Sequence, residues 1–194
     1  MKFFLTIILL IFNLQSLTKA DDVSDLEIEG ISIGDSLLNF FSAEEIEKGN
    51  PGYIYNDNSF YETEFYNHKS FSKYENINIG LKKNDNNYIV YRIVGFNFME
   101  KRKEKCFNMV DEVAKEVEGI LSNTKISIDN SKHTGDPSGK SLTRVAYMIH
   151  KSGEIWIECY DWSDEITKEK GWTDNFGVNI MSNEYIEWLD NKAY

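Results

Sequence analysis

The longest regular pattern in the chain runs from Cys106 to Leu121. Cys106, Met109, Val110, Val113, Val117 and Ile120 recur at steps of three and four, so they form one apolar stripe on a helix. Asp111, Glu112, Lys115, Glu116 and Glu118 fall on its other faces, and a charged run at 100–105 leads into it. Residues 26–33, 76–82, 88–98, 144–150, 154–162 and 176–181 change to a period of two and predict strands. Shorter strands are expected at 60–66 and 125–129. In 88–98 both alternate sets are apolar, so its inward face stays open. The rest of 51–74 is aromatic without a period and is expected to lie as a loop over the core. Residues 129–141 are polar, with Gly135, Pro137 and Gly139, and predict a mobile loop. Residues 37–41 suggest a short buried helix. Ser42 and Glu45 form a capping box for another short turn, stopped by Gly49 and Pro51. Ser182 caps a final helix that Tyr185, Ile186, Trp188 and Leu189 can dock. Hairpins with short turns argue for an α+β fold. The expected architecture is a single antiparallel sheet of about five or six strands, with the long amphipathic helix on one face and a C-terminal helix.

The hairpin at 144–162 allows a register argument. A two-residue turn at Ser152 and Gly153 puts Cys159 on one face with Arg144, Ala146, Met148 and His150. A three-residue loop, with Gly153 left-handed in a bulge, shifts the pairing by one. Val145, Tyr147, Ile149, Ile155, Ile157 and Cys159 then share a face, and the charges leave it. Burial favours this second register, because a slip of one residue exchanges faces. The opposite face then holds Arg144, Met148, His150, Trp156, Glu158, Tyr160 and Trp162. With Trp172, these are the candidate binding face, since large aromatics beside charges suit a wet contact surface.

The first twenty of the 194 residues differ from the rest. Lys2 precedes an apolar run of about a dozen residues, shorter than the ~20 that span a bilayer. A polar exit follows, with Thr18 and Ala20 at the minus-three and minus-one positions. Residues 1–20 are therefore expected to be a signal peptide, cleaved near Ala20, and residues 21–194 a single domain in the periplasm or outside the cell. The chain carries 21 basic and 32 acidic residues. Losing Lys2 and Lys19 leaves 19 against 32, a formal charge of −13. Such a chain is repelled by nucleic acid and by anionic membrane surfaces. No second apolar run has spanning length. Two cysteines in an exported protein predict one disulfide, Cys106 to Cys159.

The stretch Gly-Ile-Ser-Ile-Gly-Asp-Ser-Leu-Leu-Asn-Phe-Phe-Ser at 30–42 resembles the opening of a group of small uncharacterised secreted bacterial proteins. Cys-Tyr-Asp-Trp-Ser at 159–163 and Trp-Leu-Asp-Asn-Lys-Ala-Tyr at 188–194 are similar to the same group, so the resemblance covers most of residues 21–194. It implies secretion and brings no activity, hence no catalytic residue. The opening is also faintly similar to accessory lipoproteins of outer-membrane assembly, but this chain lacks their lipid-bearing cysteine.

Motifs with chemical meaning are weak. Residues 135–141 imitate a phosphate loop, but the glycines are four apart and a strand follows instead of a helix. His68, His133 and His150 have no partner at metal-ligand spacing. Gly30-Ile-Ser-Ile-Gly34 has the letters of a nucleophile elbow, yet Ser32 lies in an expected strand. Asp161, Asp164 and Glu165 cluster without the glycine of a calcium loop and predict a charged turn. All four tryptophans lie between Trp156 and Trp188, which fits a sugar or peptide platform or plain core packing. The pattern points to a non-enzymatic module that binds an envelope protein or a small polar or sugar ligand, without cofactor or metal. The alternative is a small cell-envelope hydrolase using carboxylates or Ser32.

Overall fold

The computed structural model describes residues 19–194 and turns the alternating segments into one antiparallel sheet. Its strands are β1 (Asn50–Pro51), β2 (Phe60–Tyr66), β3 (Asn76–Lys82), β4 (Val90–Phe98), β5 (Lys125–Lys132), β6 (Leu142–His150), β7 (Gly153–Asp161) and β8 (Asn175–Ser182). Their spatial order is β1-β2-β3-β4-β8-β7-β6-β5. The sheet thus has seven strands of seven residues or more, plus the two-residue β1, and not five or six. The excess lies at the edges. The short strands expected at 60–66 and 125–129 both form, as β2 and as the start of β5, which runs on through exposed polar residues to Lys132. Two meanders, β2–β4 and β5–β8, meet at the β4–β8 pair.

Helix α2 (Lys103–Ile120) carries the chain from the centre of the sheet to its far edge. It starts three residues earlier than the stripe implies. Cys106, Val110, Val113, Ala114 and Val117 are its buried side chains, and they lie over β6, β7 and β8. Beneath them are Ala146 and Met148 of β6, Ile155, Ile157 and Cys159 of β7, and Val178 and Ile180 of β8. The ladder carries the same face on to Ile93 of β4 and to Ile77 and Ile79 of β3, which settles the ambiguous strand. Segments before β2 close this end of the core. They include Leu37, Phe41 and Ile46 of α1 (Ala43–Lys48), with the expected capping box between Ser42 and Glu45.

Residues 26–33 do not form a strand. Glu29 and Gly30 take positive φ, 53° and 80°, and reverse the chain so that Ile28 pairs with Ile31. Glycine permits this turn at little steric cost. Residues 37–41 give only a 3-10 turn, with Leu37 and Phe41 buried and Leu38 and Phe40 exposed. Asp164 and Glu165 open α3 (Asp164–Lys170), capped by Ser163, where a charged turn was expected. Helix α4 (Asn183–Asn191) is capped by Ser182 as the sequence predicts.

The β6–β7 register corrects the bulge argument. His150 pairs with Gly153 across a two-residue turn at Lys151 and Ser152. Cys159 does face α2, but its partners there are Arg144, Ala146, Met148 and His150, the parity that the bulge was expected to exclude. Gly153 is a glycine for space and not for a left-handed bulge. A Cβ there would meet the Met181 carbonyl oxygen at 2.1 Å and Val23 Cγ2 at 2.9 Å.

A disulfide joins Cys106 to Cys159 across 53 residues. The chain-entropy model gives it ~4 kcal/mol. The three buried valines of α2 contribute about 1.5–3 kcal/mol each, so packing alone keeps the helix docked. The expectation is that Cys106→Ser/Cys159→Ser still folds and loses up to ~4 kcal/mol in urea unfolding. Reduction of the native protein should give the same loss. A double variant as stable as the native protein would remove the disulfide from the list of stabilising contacts.

Candidate functional site

The opposite, outer face of the sheet is polar where a core would be apolar. Across it run Glu62 and Glu64 of β2, Asn76 and Asn78 of β3, Arg92 of β4, Asn179 of β8 and Glu158 of β7. Helix α4 covers one half of this face, and the two halves differ in how their polar groups are satisfied.

Under α4 the polar groups are saturated. Glu62 Oε1 accepts from Arg92 Nη1 at 2.8 Å and from the Tyr55 and Tyr185 hydroxyls, both at 2.9 Å. Its Oε2 accepts from Asn78 Nδ2 at 3.1 Å and the Tyr53 backbone N–H at 3.2 Å. Arg92 also donates to Asn78 Oδ1 and Asn179 Oδ1. Gly80 makes room for this arrangement, since a Cβ there would meet the Tyr185 ring at 2.7 Å. Burial pushes the Glu62 carboxyl up, but Arg92 and the hydroxyl donors outweigh it and hold it below its ordinary value. Phe60, Met181, Tyr185 and Trp188 seal the network as a small apolar cluster. The Trp188 indole N–H donates to Asp57 Oδ1 at 2.7 Å.

The other half is an open cleft of about 460 Å³, within the range of ligand sites. It is lined by Tyr66 of β2, Phe96 and Phe98 of β4, Tyr160 of β7, and His133, Trp162 and Trp172 from the loops. Alternation along β4 and β7 aims Phe96, Phe98 and Tyr160 the same way. Asp174 holds the loops together, accepting from the Trp162 N–H at 2.7 Å and the Lys101 N–H at 3.0 Å. Asp136 ties down the polar loop at 133–141. It accepts from the Ser138 and Ser141 N–H groups and from the Ser141 and Ser163 hydroxyls. Those bonds, led by Ser141, hold its carboxyl well below the carboxylate range.

The rings touch one another. Tyr160 and Trp162 are near parallel, 6° apart with centroids at 5.5 Å. Trp162 meets His133 at 4.4 Å and Trp172 at 4.6 Å. His133 Nδ1 accepts from the Gly135 N–H at 3.0 Å, so a neutral ring carries its proton on Nε2. Burial, helped by nearby Lys170, pushes the His133 pKa down and favours that neutral form. Lys170 Nζ lies 4.6 Å from the Trp172 centroid and donates to the Gly135 carbonyl. Among the described residues, neither the Trp162 nor the Trp172 indole N–H finds an acceptor within the protein.

The register divides the sequence-derived binding face. Trp156, Glu158 and Tyr160 do lie on the outer face, with Trp162 and Trp172 beside them at the cleft. Arg144, Met148 and His150 do not. Arg144 Nε donates to Asp111 of α2 at 2.9 Å, Met148 is fully buried in the core, and His150 Nδ1 bonds the Ser152 hydroxyl. Trp156 lies outside the cleft, with its N–H donated to Glu154 at 2.8 Å and its ring against Tyr147. Glu158 stands behind Tyr160, whose hydroxyl it accepts. Tyr66, Phe96, Phe98 and His133 are the cleft residues that the pattern missed. The alternate apolar set of β4 was the sequence signal for Phe96 and Phe98, and neither Tyr66 nor His133 had one.

The Ser32 hydroxyl donates to the Leu26 carbonyl at 3.0 Å. His68 packs among Phe41, Phe65 and Phe71. Among the described residues no three His, Cys, Asp or Glu side chains are grouped to hold a metal ion, and no helix is long and apolar enough to cross a membrane. Comparison with protein-family models, curated proteins and solved structures found no match.

Two outer-face carboxylates, the buried Glu62 and the half-buried Glu158, predict opposite responses. Glu62→Gln leaves Arg92 unpaired and should cost about 3–5 kcal/mol, measured by urea unfolding. Adding Arg92→Met should recover part of that loss. Burial raises the Glu158 carboxyl above its ordinary 4.5. Folding therefore favours its protonated form, and its ionisation weakens the fold as pH rises through the shifted pKa. Glu158→Gln should be more stable than the native protein at pH 7, and the gain should vanish below about pH 4. A gain equal at both pH values would show that its charge is not the cause.

Proposed function

We propose that the protein is an exported, non-enzymatic module that holds a small polar ligand in the aromatic cleft. One contrast among the tryptophans carries this reading. Trp156 and Trp188 donate their indole N–H groups to Glu154 and Asp57. Trp162 and Trp172 line the cleft, and their N–H groups find no acceptor among the described residues. A buried tryptophan normally finds a partner for its N–H, whereas Trp162 is half-buried and Trp172 exposed, so their N–H groups stay open to solvent or to a ligand. Together with the His133 Nε2–H, the cleft thus offers stacking surface and free donors in one place.

Export after cleavage behind Ala20 is part of the proposal. The apolar run and Thr18 lie outside the described residues. The disulfide suits an oxidising compartment. The Asp21 nitrogen lies 2.9 Å from Asp25 Oδ2, so an α-ammonium released there gains an anionic partner. Such a cut gives up the backbone bonds of Ala20 to Ile120 and Ser122. The secreted group whose opening and closing segments resemble this chain suggests the same address.

Two measurements test these halves. The protein recovered from the periplasm or medium of an exporting bacterial host should begin at Asp21 by intact mass. A mass that includes residues 1–20 would end the export reading. Native protein equilibrated with a small-molecule extract of bacterial envelopes, then desalted and denatured, should release a compound detected by mass spectrometry. Trp162→Ala/Trp172→Ala should retain at most about a tenth as much, ~1.4 kcal/mol of lost binding. Identical compounds from both proteins would remove the cleft as the site.

A further inference from the structure

From the cleft's donors and one orphaned side chain beside it, we infer that the ligand is a neutral carbohydrate. The inference rests on the cleft being the binding site. Asn76 lies on the outer face of β3, paired with Tyr66 on one side and Phe96 on the other, both of which line the cleft. It is 0% exposed, and neither its Oδ1 nor its Nδ2 has a hydrogen-bond partner. Its neighbour Asn78, two residues along the same face, bonds to Glu62, Glu64 and Arg92. A buried carboxamide with both atoms unpaired costs about 1–3 kcal/mol per group. Such a group in a native protein calls for an explanation, and a ligand that satisfies it is one.

The required ligand chemistry follows from four features. The near-parallel Tyr160 and Trp162 rings offer a face on which C–H groups can lie, and His133 and Trp172 stand inclined at 56–63° against it as side walls. The free N–H groups of Trp162, Trp172 and His133 ask for acceptors. Asn76 asks for a donor and an acceptor together, which a hydroxyl, or two on adjacent carbons, provides. The ligand is uncharged, because Lys170 already occupies a cation's place over Trp172 and the formal charge of −13 left after the proposed cleavage disfavours phosphate. A chain of two or three sugar rings meets all four, since Asn76 on β3 and Tyr160 on β7 lie three strand spacings, about 14 Å, apart. A polyproline helix repeats every ~9 Å and wants slots between rings, whereas these rings meet at 4.4–6.0 Å. Because Asn76 is closed off, a hydroxyl reaches it only when Tyr66 or Phe96 turns aside. Tyr66 is 45% exposed, and turning it aside gives up its hydroxyl bond to Glu64 and its edge contact with Phe96.

The probes are cellotriose, maltotriose, xylotriose and chitotriose, each titrated into the folded protein to about 10 mM, well above a millimolar Kd. Tryptophan emission reports stacking. At least one should give a saturable change. Trp162→Ala, Trp172→Ala and Asn76→Leu should each weaken it at least about tenfold, ~1.4 kcal/mol, while Trp156→Phe leaves the affinity unchanged. Asn76→Leu should also raise Tm, because it removes the orphaned carboxamide, so its loss of binding is not a loss of fold. Binding unaffected by Asn76→Leu overturns the role of Asn76. No response to any of the four sugars overturns the carbohydrate inference. Octaproline and adenosine distinguish the failures. If either binds and Trp162→Ala abolishes it, the cleft stands as the site and its ligand is not a sugar. If neither binds, the cleft reading falls with the carbohydrate.

Discussion

Everything in this molecule depends on which side of the sheet α2 lies. A strand's side chains alternate, so one covered face dictates the fate of every second residue. The valine stripe of α2 and the Cys106–Cys159 bond commit Ile155, Ile157 and Cys159 to the dry side. Trp156, Glu158 and Tyr160 are thereby forced to the other side, and antiparallel pairing passes the decision to β8, β4, β3 and β2 in turn. Glu62 and Arg92 are outer-face residues for the same reason. They need each other because α4 then lies over them.

Covering polar residues with a helix is costly unless each finds a partner. Beneath α4 the cost is offset by five donors on Glu62, with Gly80 leaving space for the Tyr185 ring. Asparagines at 78 and 179 bridge the charged pair to its surroundings. The same strands continue beyond the helix, where the composition changes to Phe96, Phe98, Tyr160 and the two cleft tryptophans. There the face is left open.

The sequence made the strands legible wherever one face was covered. The 76–82 pattern coincides with β3, because a buried strand leaves a strong mark. It stopped short at the edge, where the alternation of Ile126 and Ile128 marks the first half of β5 and the polar residues to Lys132 carry no period. It failed at the β6–β7 turn. Gly153 fits the glycine of a left-handed bulge, but the same residue type serves the close approach of β8 and Val23, and only three dimensions distinguish the two. That single slip moved Arg144, Met148 and His150 to the wrong face of the expected binding surface. His133 was invisible for another reason. A lone histidine in a polar loop gives no sign that Gly135 will fix its tautomer or that Trp162 will pack on it.

Unsatisfied groups discriminate where composition cannot. All four tryptophans are aromatic anchors of similar size, and their crowding near the C-terminus says nothing about which of them packs and which binds. Their N–H groups differ: Glu154 and Asp57 accept two of them, and among the described residues no acceptor answers the other two. The asparagines of β3 divide in the same way, Asn78 saturated under α4 and Asn76 orphaned beside the cleft. Both divisions fall on the same boundary, the edge of the area that α4 covers. A fold selected for stability alone would favour an apolar residue at 76, since Leu removes the penalty without needing a partner. A carboxamide at 76 makes physical sense under the proposed binding, where its partner arrives from outside and lies against the aromatic wall beside it.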